Sequence, residues 1–382
     1  MSNTTYSELG VIPVINAAGA LSRLGGSLLS AGVRKAMNDA GQHFVDIPTF
    51  HDRVGEELAR ITRNEAACVS SGAAAGVLVA VAACIAGDDV QRAEKLPDPS
   101  AVIKRDVVVW SEHLVGKLAG ADQVLSNGYL SAVGMAGAEL RSITGPDEIS
   151  PDTACMLWFP RVYPEIENEE EQFERFTSRA RALNVPMIVD AADQVPPVSN
   201  LWYYTKERSA DLAIFSGGKG LLGPGASGLI VGRKDLIRAC RVNSGPEHSV
   251  GRPAKVGKEE LAGLLQAVRE AVAADPVLQL KTWMETVEFW INCLRQLEAR
   301  GVTSYMSPTS HSGQPIPRAI VRMHGISTAT RDMIIARLWE GSPCISVLPE
   351  ENGAIALNPQ MVKKEEIKVV SEKVLDAISA HL

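Results

Sequence analysis

Three short stretches carry residue types whose chemistry fits together. In AIFSGGKGLLGPGASGLIVG, Ala213 to Gly232, a single lysine, Lys219, is set in glycine between two apolar, strand-like runs. Surface lysines normally sit among other polar residues; this one is delivered to one point by a stiff frame. Lysine partly withdrawn from water has its ammonium form disfavoured, and a neutral amine condenses with an aldehyde. In VPMIVDA, Asp190 ends an apolar run, the position at which open α/β sheets bind ligands beyond the carboxyl ends of their strands. In SSGAAAG, residues 70–76, small residues lead into a helix whose free N–H groups and partial positive charge suit a phosphate. A phosphate turn, a carboxylate for a ring nitrogen and a reactive amine together describe a pyridoxal-phosphate (PLP) site. The order is consistent: the turn comes first, then Asp190, then Lys219 29 residues beyond it, and His113, after DVVVW, stands where an imidazole could stack on the cofactor ring.

Each of these residues also has a plainer reading. Lys219 could be a turn lysine, Asp190 a helix cap, Ser70–Gly72 a capping turn and His113 a structural histidine. A nucleotide-binding loop would need G-x-x-x-x-G-K-[ST], but Gly220 follows the lysine and Ala213 stands where the first glycine belongs.

The elements that must position these groups alternate along the chain. DVVVW, ELRSI, TACMLWF, VPMIVDA, DLAIFS and SGLIVG read as strands, and AACVSSG as a strand ending in a turn. Helices are expected at about 30–41, over HDRVGEELARIT, from Ala73, over HLVGKLAGADQ, and over ENEEEQFERFTSRARALN, which is acidic at its start and basic toward its end. DDVQRAEKLPDPSAVIKR reads as a surface connection. Apolar strands separated by helices imply an α/β architecture: a mostly parallel central sheet with helices on both faces. After the Gly/Pro/basic stretch NSGPEHSVGRPAKVGKEE the pattern changes to helices at 258–273 and 276–300, short strands in PRAIVRMHG, CISVL and AIAL around a helix at 328–340, and a closing helix at 363–381, a smaller α+β C-terminal domain. The expected boundaries are an N-terminal segment 1–47 packing on the small domain, a large domain 48–260 and a small domain 261–382.

The chain has 382 residues, 46% hydrophobic and 22% charged, with a formal charge of −7, so it can bury a large core. No Lys/Arg-rich run stands out, and a nucleic-acid footprint is not expected. Six scattered cysteines form no C-x-x-C and read as thiols of a reducing compartment, with no metal site implied. The start lacks a basic region followed by an apolar one, and the longest apolar stretch, Ala73 to Gly87, is short for a membrane span of about 20 residues, so the cytoplasm is the expected location.

Taken with VINAAGALSRLGGS, VSSGAAAGVLVAVAAC, VDAADQVPPVSNLW and GRPAKVGKEELAGLL, the lysine block resembles the fold-type-I PLP enzymes of the aspartate-aminotransferase superfamily, most closely the selenocysteine-synthase-like group. The resemblance covers nearly the whole length. It implies that Lys219 forms the Schiff base and that Asp190 pairs with the pyridine nitrogen. It further implies that Ser71, Gly72 and Ala73 hold the phosphate with Ser216 as a further contact, that His113 stacks on one ring face and that Ala192 packs on the other. Arg252, and secondarily Arg23, are candidate ligands for a substrate anion; Arg252 reads equally as a surface or subunit-interface residue. Glu112 stands where the group would carry a cation. The implied activity is removal of the α-proton of a small amino acid, then β-elimination releasing ammonia and a 2-oxo acid, in an enzyme that is at least a homodimer. Racemisation, transamination and tRNA-dependent selenium transfer are the alternatives.

Overall fold

Runs of valine, isoleucine and leucine, too apolar to face water on either side, form the centre of the computed structural model, which describes residues 5–98, 100, 102–114, 130–160 and 167–382. In chain order the strands are β1 (Val14–Asn16), β2 (Ala66–Ser70), β3 (Asp106–Trp110), β4 (Glu139–Ile143), β5 (Thr153–Trp158), β6 (Met187–Asp190), β7 (Leu212–Ser216), β8 (Gly228–Gly232), β9 (Val302–Ser307), β10 (Arg318–Met323), β11 (Cys344–Ser346), β12 (Leu348–Glu350) and β13 (Ala354–Leu357).

The chain divides into two units, Ser27–Ala274 and Met1–Gly26 with Asp275–Leu382. In the first, a seven-stranded sheet runs β2-β8-β7-β6-β5-β3-β4. Strands β7, β6, β5, β3 and β4 are parallel, while β8 lies antiparallel between β7 and β2. All of β5, β6 and β8 is buried, as expected of strands covered on both faces. One face packs under the helix Ala73–Ala86 and the helix Lys234–Val242; the other packs under Ile47–Ile61, Glu169–Ala182 and Lys258–Ala273. The helix Ala73–Ala86 is apolar nearly all round and carries no charge, so it forms only because it is enclosed. Burial of Val77, Val79, Val81 and Ile85 contributes about 1.5–3 kcal/mol each. The helix Glu169–Ala182 opens on three glutamates and ends with Arg179 and Arg181, matching its dipole.

Two differences from the expected boundaries have a physical cause. The large unit runs to Ala274 rather than to 260, because Leu261, Leu264, Ala267 and Val268 of the helix Lys258–Ala273 are buried, three of them in its second core. The N-terminal contribution to the small unit stops at Gly26 rather than 47, because the helix Ala31–Gly41 packs along Lys258–Ala273. In place of a bare surface connection, a short helix, Val90–Lys95, follows the Asp89 cap. The helix expected over HLVGKLAGADQ lies outside the described residues beyond Leu114, and Ser111–Leu114 is a 3-10 turn.

The smaller unit holds an antiparallel sheet β12-β13-β10-β9 and the parallel pair β1-β11. Its core is centred on Trp290, whose indole N–H donates to Ile367 O at 2.9 Å. Strand β9, absent from the sequence reading, is an edge strand with only Val302 buried, so its apolar signal is faint. No helix among the described residues is long and apolar enough to cross a membrane.

Two fully enclosed histidines couple the large unit's stability to pH. The Nε2 of His51 accepts the backbone N–H of Val69 in β2 at 3.0 Å, and burial, helped by Arg241, brings its pKa down to about 3. Burial alone does the same to His113, also about 3. Both rings are neutral when folded and titrate near their ordinary 6.5 when unfolded, so the unfolded chain binds more protons below that value. Stability is therefore complete above about pH 6.5 and falls as the pH drops toward 3. The expected loss is on the order of 2 kcal/mol per ring between pH 7 and pH 5; urea unfolding at the two pH values measures it, and His51→Gln should flatten the slope.

Candidate active site

The end of the sheet gathers the chemistry. Asp190 closes β6, and its partner in register is Ile214 of the neighbouring parallel strand β7. Ile188 and Ile214 pack in the core under the helix Ala73–Ala86, so Asp190 and Ser216, each two residues further on, point to that same face. The helix starts directly above them: a Cβ at Gly76 would lie 2.8 Å from Ile214 Cγ2 and 3.2 Å from Ser70 Oγ. Asp190 is buried, and its Oδ1 accepts the N–H of Ala192 at 3.0 Å, which fastens the carboxylate to the turn after β6.

The lysine frame is built by glycine where no side chain fits. Gly217 N–H donates to Ser227 O at 2.8 Å, Gly223 N–H to Gly217 O at 2.7 Å and Leu222 N–H to Lys219 O at 3.0 Å. A Cβ at Gly217 would stand 2.0 Å from Ser227 Oγ, and one at Gly218 2.6 Å from Gly225 Cα. At Gly220 it would meet the Val195 carbonyl oxygen at 1.7 Å, backbone that cannot yield. Gly220→Ala is therefore expected to cost about 3 kcal/mol or more and to displace Lys219; a thermal melt unchanged from the native protein would refute this packing.

The start of the helix Ala73–Ala86 fits an anion. Its cap, Gly72, has φ +137° and offers no side chain, and a Cβ there would meet nothing within 4 Å, so the first-turn N–H groups adjoin open space. The floor of this cradle is tight: Ser70 Oγ donates to Gly72 O at 2.9 Å, and a Cβ at Gly228 would come within 2.6 Å of Gly72 C. Ser71, Gly72 and Ala73 thus suit a phosphate, Asp190 a protonated ring nitrogen and Lys219 an aldehyde. The residues present fit PLP.

The other expected site residues lie as follows. His113 is wholly buried, edge-on to Trp158 at 4.5 Å and Trp110 at 5.2 Å between ring centroids. Glu169 Oε1 lies 3.9 Å from its Nε2, but the ring is neutral, so this is no ion pair. Ala192 is half-buried against the core under the helix Ala73–Ala86. Arg252 is half-buried at the start of a 3-10 turn, its N–H donating to Ser249 O at 2.9 Å. Arg23, in the smaller unit, is exposed with its guanidinium over Trp339, 4.8 Å from the ring centroid. Lys219 is partly withdrawn from water, as expected: its side chain is 27% exposed, with Asp193 Oδ2 3.9 Å from Nζ. Asp193 was missed by the sequence reading; the signal was its place three residues past Asp190, in a turn leaving the same strand. A separate cleft of about 1230 Å³, lined among others by Asp52, Glu56, Lys234 and Arg241, contains none of these residues.

Known proteins resemble this chain in sequence and in fold. No family model matches the chain. A Streptomyces protein named 5'-C-glycyluridine monooxygenase-decarboxylase is 38% identical over 70% of this chain and 65% of its own, so the match spans less than two thirds of that relative. D-glucosaminate-6-phosphate ammonia lyase of Salmonella typhimurium is 30% identical over 70% of both chains. A solved D-glucosaminate-6-phosphate ammonia-lyase superposes over the whole of both chains with a TM-score of 0.82 at 25% identity. At 13% identity and a TM-score of 0.57, a serine palmitoyltransferase solved as its PLP internal aldimine, matching 96% of this chain and 88% of its own, shares the fold.

Proposed function

We propose, on the premise that this chain belongs to the fold-type-I PLP family that includes D-glucosaminate-6-phosphate ammonia lyase, that it is a PLP-dependent lyase which removes the α-proton of a small amino acid and releases ammonia and a 2-oxo acid. The observations that support this reading are Asp190 at the end of β6, on the face under the helix Ala73–Ala86 with its uncapped start, and Lys219 reaching within 3.9 Å of Asp193 in the turn that follows β6. Bound there, PLP supplies an electron sink for the substrate's α-carbon.

The chain's own groups do the rest. The N–H groups at Ser71–Ala73 hold the phosphate, with the Ser216 side chain on the same face of the sheet. The Asp190 carboxylate, fixed through Ala192 N–H, keeps a proton on the ring nitrogen. Lys219 would hold the aldehyde end of the group, and its Nζ would be the base that accepts the substrate's α-proton. Ala192 packs beside the ring. His113 is the candidate to stack on the ring. Arg252 is the candidate for a substrate anion. By the same family reading, the working unit is at least a homodimer of the cytoplasm, independent of nucleic acid.

A second reading is favoured by the higher identity to the monooxygenase-decarboxylase. The same active site would then act on a glycyl-type amine and lose its carboxyl group, with dioxygen consumed. Incubation of the holoenzyme with panels of amino acids of both chiralities distinguishes the two. Ammonia with a 2-oxo acid, without oxygen uptake, supports the lyase; oxygen uptake with carbon dioxide release overturns it in favour of the oxygenase.

A further inference from the structure

We infer that Asp193 is a positioning residue for Lys219: its carboxylate steadies the amine over the sheet end and is the counter-ion for the ammonium that forms when Nζ takes the substrate's α-proton. The inference rests on the lyase reading above. The turn after β6 and the turn after β7 are locked together at two points. Ser216 N–H donates to Ala192 O at 3.3 Å, and Gly220 packs against the Val195 carbonyl so closely that no Cβ fits. Asp193 lies between Ala192 and Val195, and Lys219 between Ser216 and Gly220, so the two side chains face each other by construction of the backbone.

The separation suits this role. At 3.9 Å, Oδ2 attracts a positive Nζ without a hydrogen bond that would tie the lysine down. Both side chains are about a quarter exposed, at 27% and 25%, so water screens the attraction in part and the lysine is free to swing toward a substrate. The turn itself is already fastened by Asp190, whose Oδ1 takes the Ala192 N–H. No net charge is created when the proton moves: Nζ gains it, the α-carbon loses it, and the new positive charge arises beside an existing carboxylate.

The full-length protein freed of PLP, and the same protein reloaded, test this with Asp193→Asn and Asp193→Glu. Lys219 in the PLP-free protein is labelled with an amine-reactive acylating reagent at fixed pH and quantified by peptide mass. Loss of the carboxylate should raise the labelling rate about fivefold. In the reloaded enzyme, Asp193→Asn should lower kcat about tenfold with KM nearly unchanged, and Asp193→Glu should restore both values toward native. Should the asparagine variant not fold, Asp193→Ser is read in the same way. Native labelling rate and native kcat in Asp193→Asn would overturn the inference, as would a rise in KM alone. Failure of the unaltered protein to attach PLP at Lys219 would instead sink the lyase reading itself.

Discussion

Lys219→Ala is expected to lower turnover by about 10⁴-fold or more, because one change removes both the covalent anchor and the base for the α-proton. Loss of fold is not the expected cause. The turn is held by backbone hydrogen bonds from Gly217, Leu222 and Gly223, none of which uses the lysine side chain, and that side chain is partly exposed. The variant should melt within a few degrees of the native protein and still take up PLP through the helix start and Asp190. Borohydride treatment followed by peptide mapping reads the anchor directly: PLP is fixed on the peptide containing Lys219 in the native protein and on no peptide in the variant. A variant retaining more than about a hundredth of native turnover would remove the lysine from the reaction.

Asp190→Ala should lower turnover by about 10²–10³-fold, the size expected when a preorganised charge facing the developing electron density is lost. The variant keeps Lys219 and the phosphate cradle, so covalent attachment of PLP should survive while the exchange of the substrate's α-proton with deuterium oxide slows in step with turnover. Asp190→Asn separates charge from packing: the amide can still accept the Ala192 N–H, so the turn is preserved while the negative charge is absent. If the asparagine variant turns over at the native rate, the pairing with the ring nitrogen is wrong.

The placement of Lys219 in a tight turn and of Asp190 at a strand end was legible because each is announced locally, one by glycines on both sides and the other by an apolar run that stops at a carboxylate. The parallel sheet was legible for the same reason, its strands being continuous apolar runs. What the sequence hid depends on distant segments meeting. The stripe of Leu261, Leu264 and Val268 is plain to see, but nothing in it tells which core it completes, and the domain boundary was placed too early. The surroundings of His113 include Trp158, on another strand, an edge-on contact that no local signal around His113 announces. Asp193 stood in view in VDAADQ, but its relation to Lys219 exists only once the two turns interlock.

The crossing of Gly228 over Gly72 has a temporal consequence. Ser70 and Gly228 are 158 residues apart, and the floor beneath the helix start is finished only when β8 slides antiparallel between β2 and β7. A nascent chain that has not yet delivered this latecomer strand has no seat for the vitamin, which must therefore board a completed scaffold rather than template its assembly. Such a passenger stabilises only the finished fold, by mass action, and heat resistance should climb with the supply of free PLP.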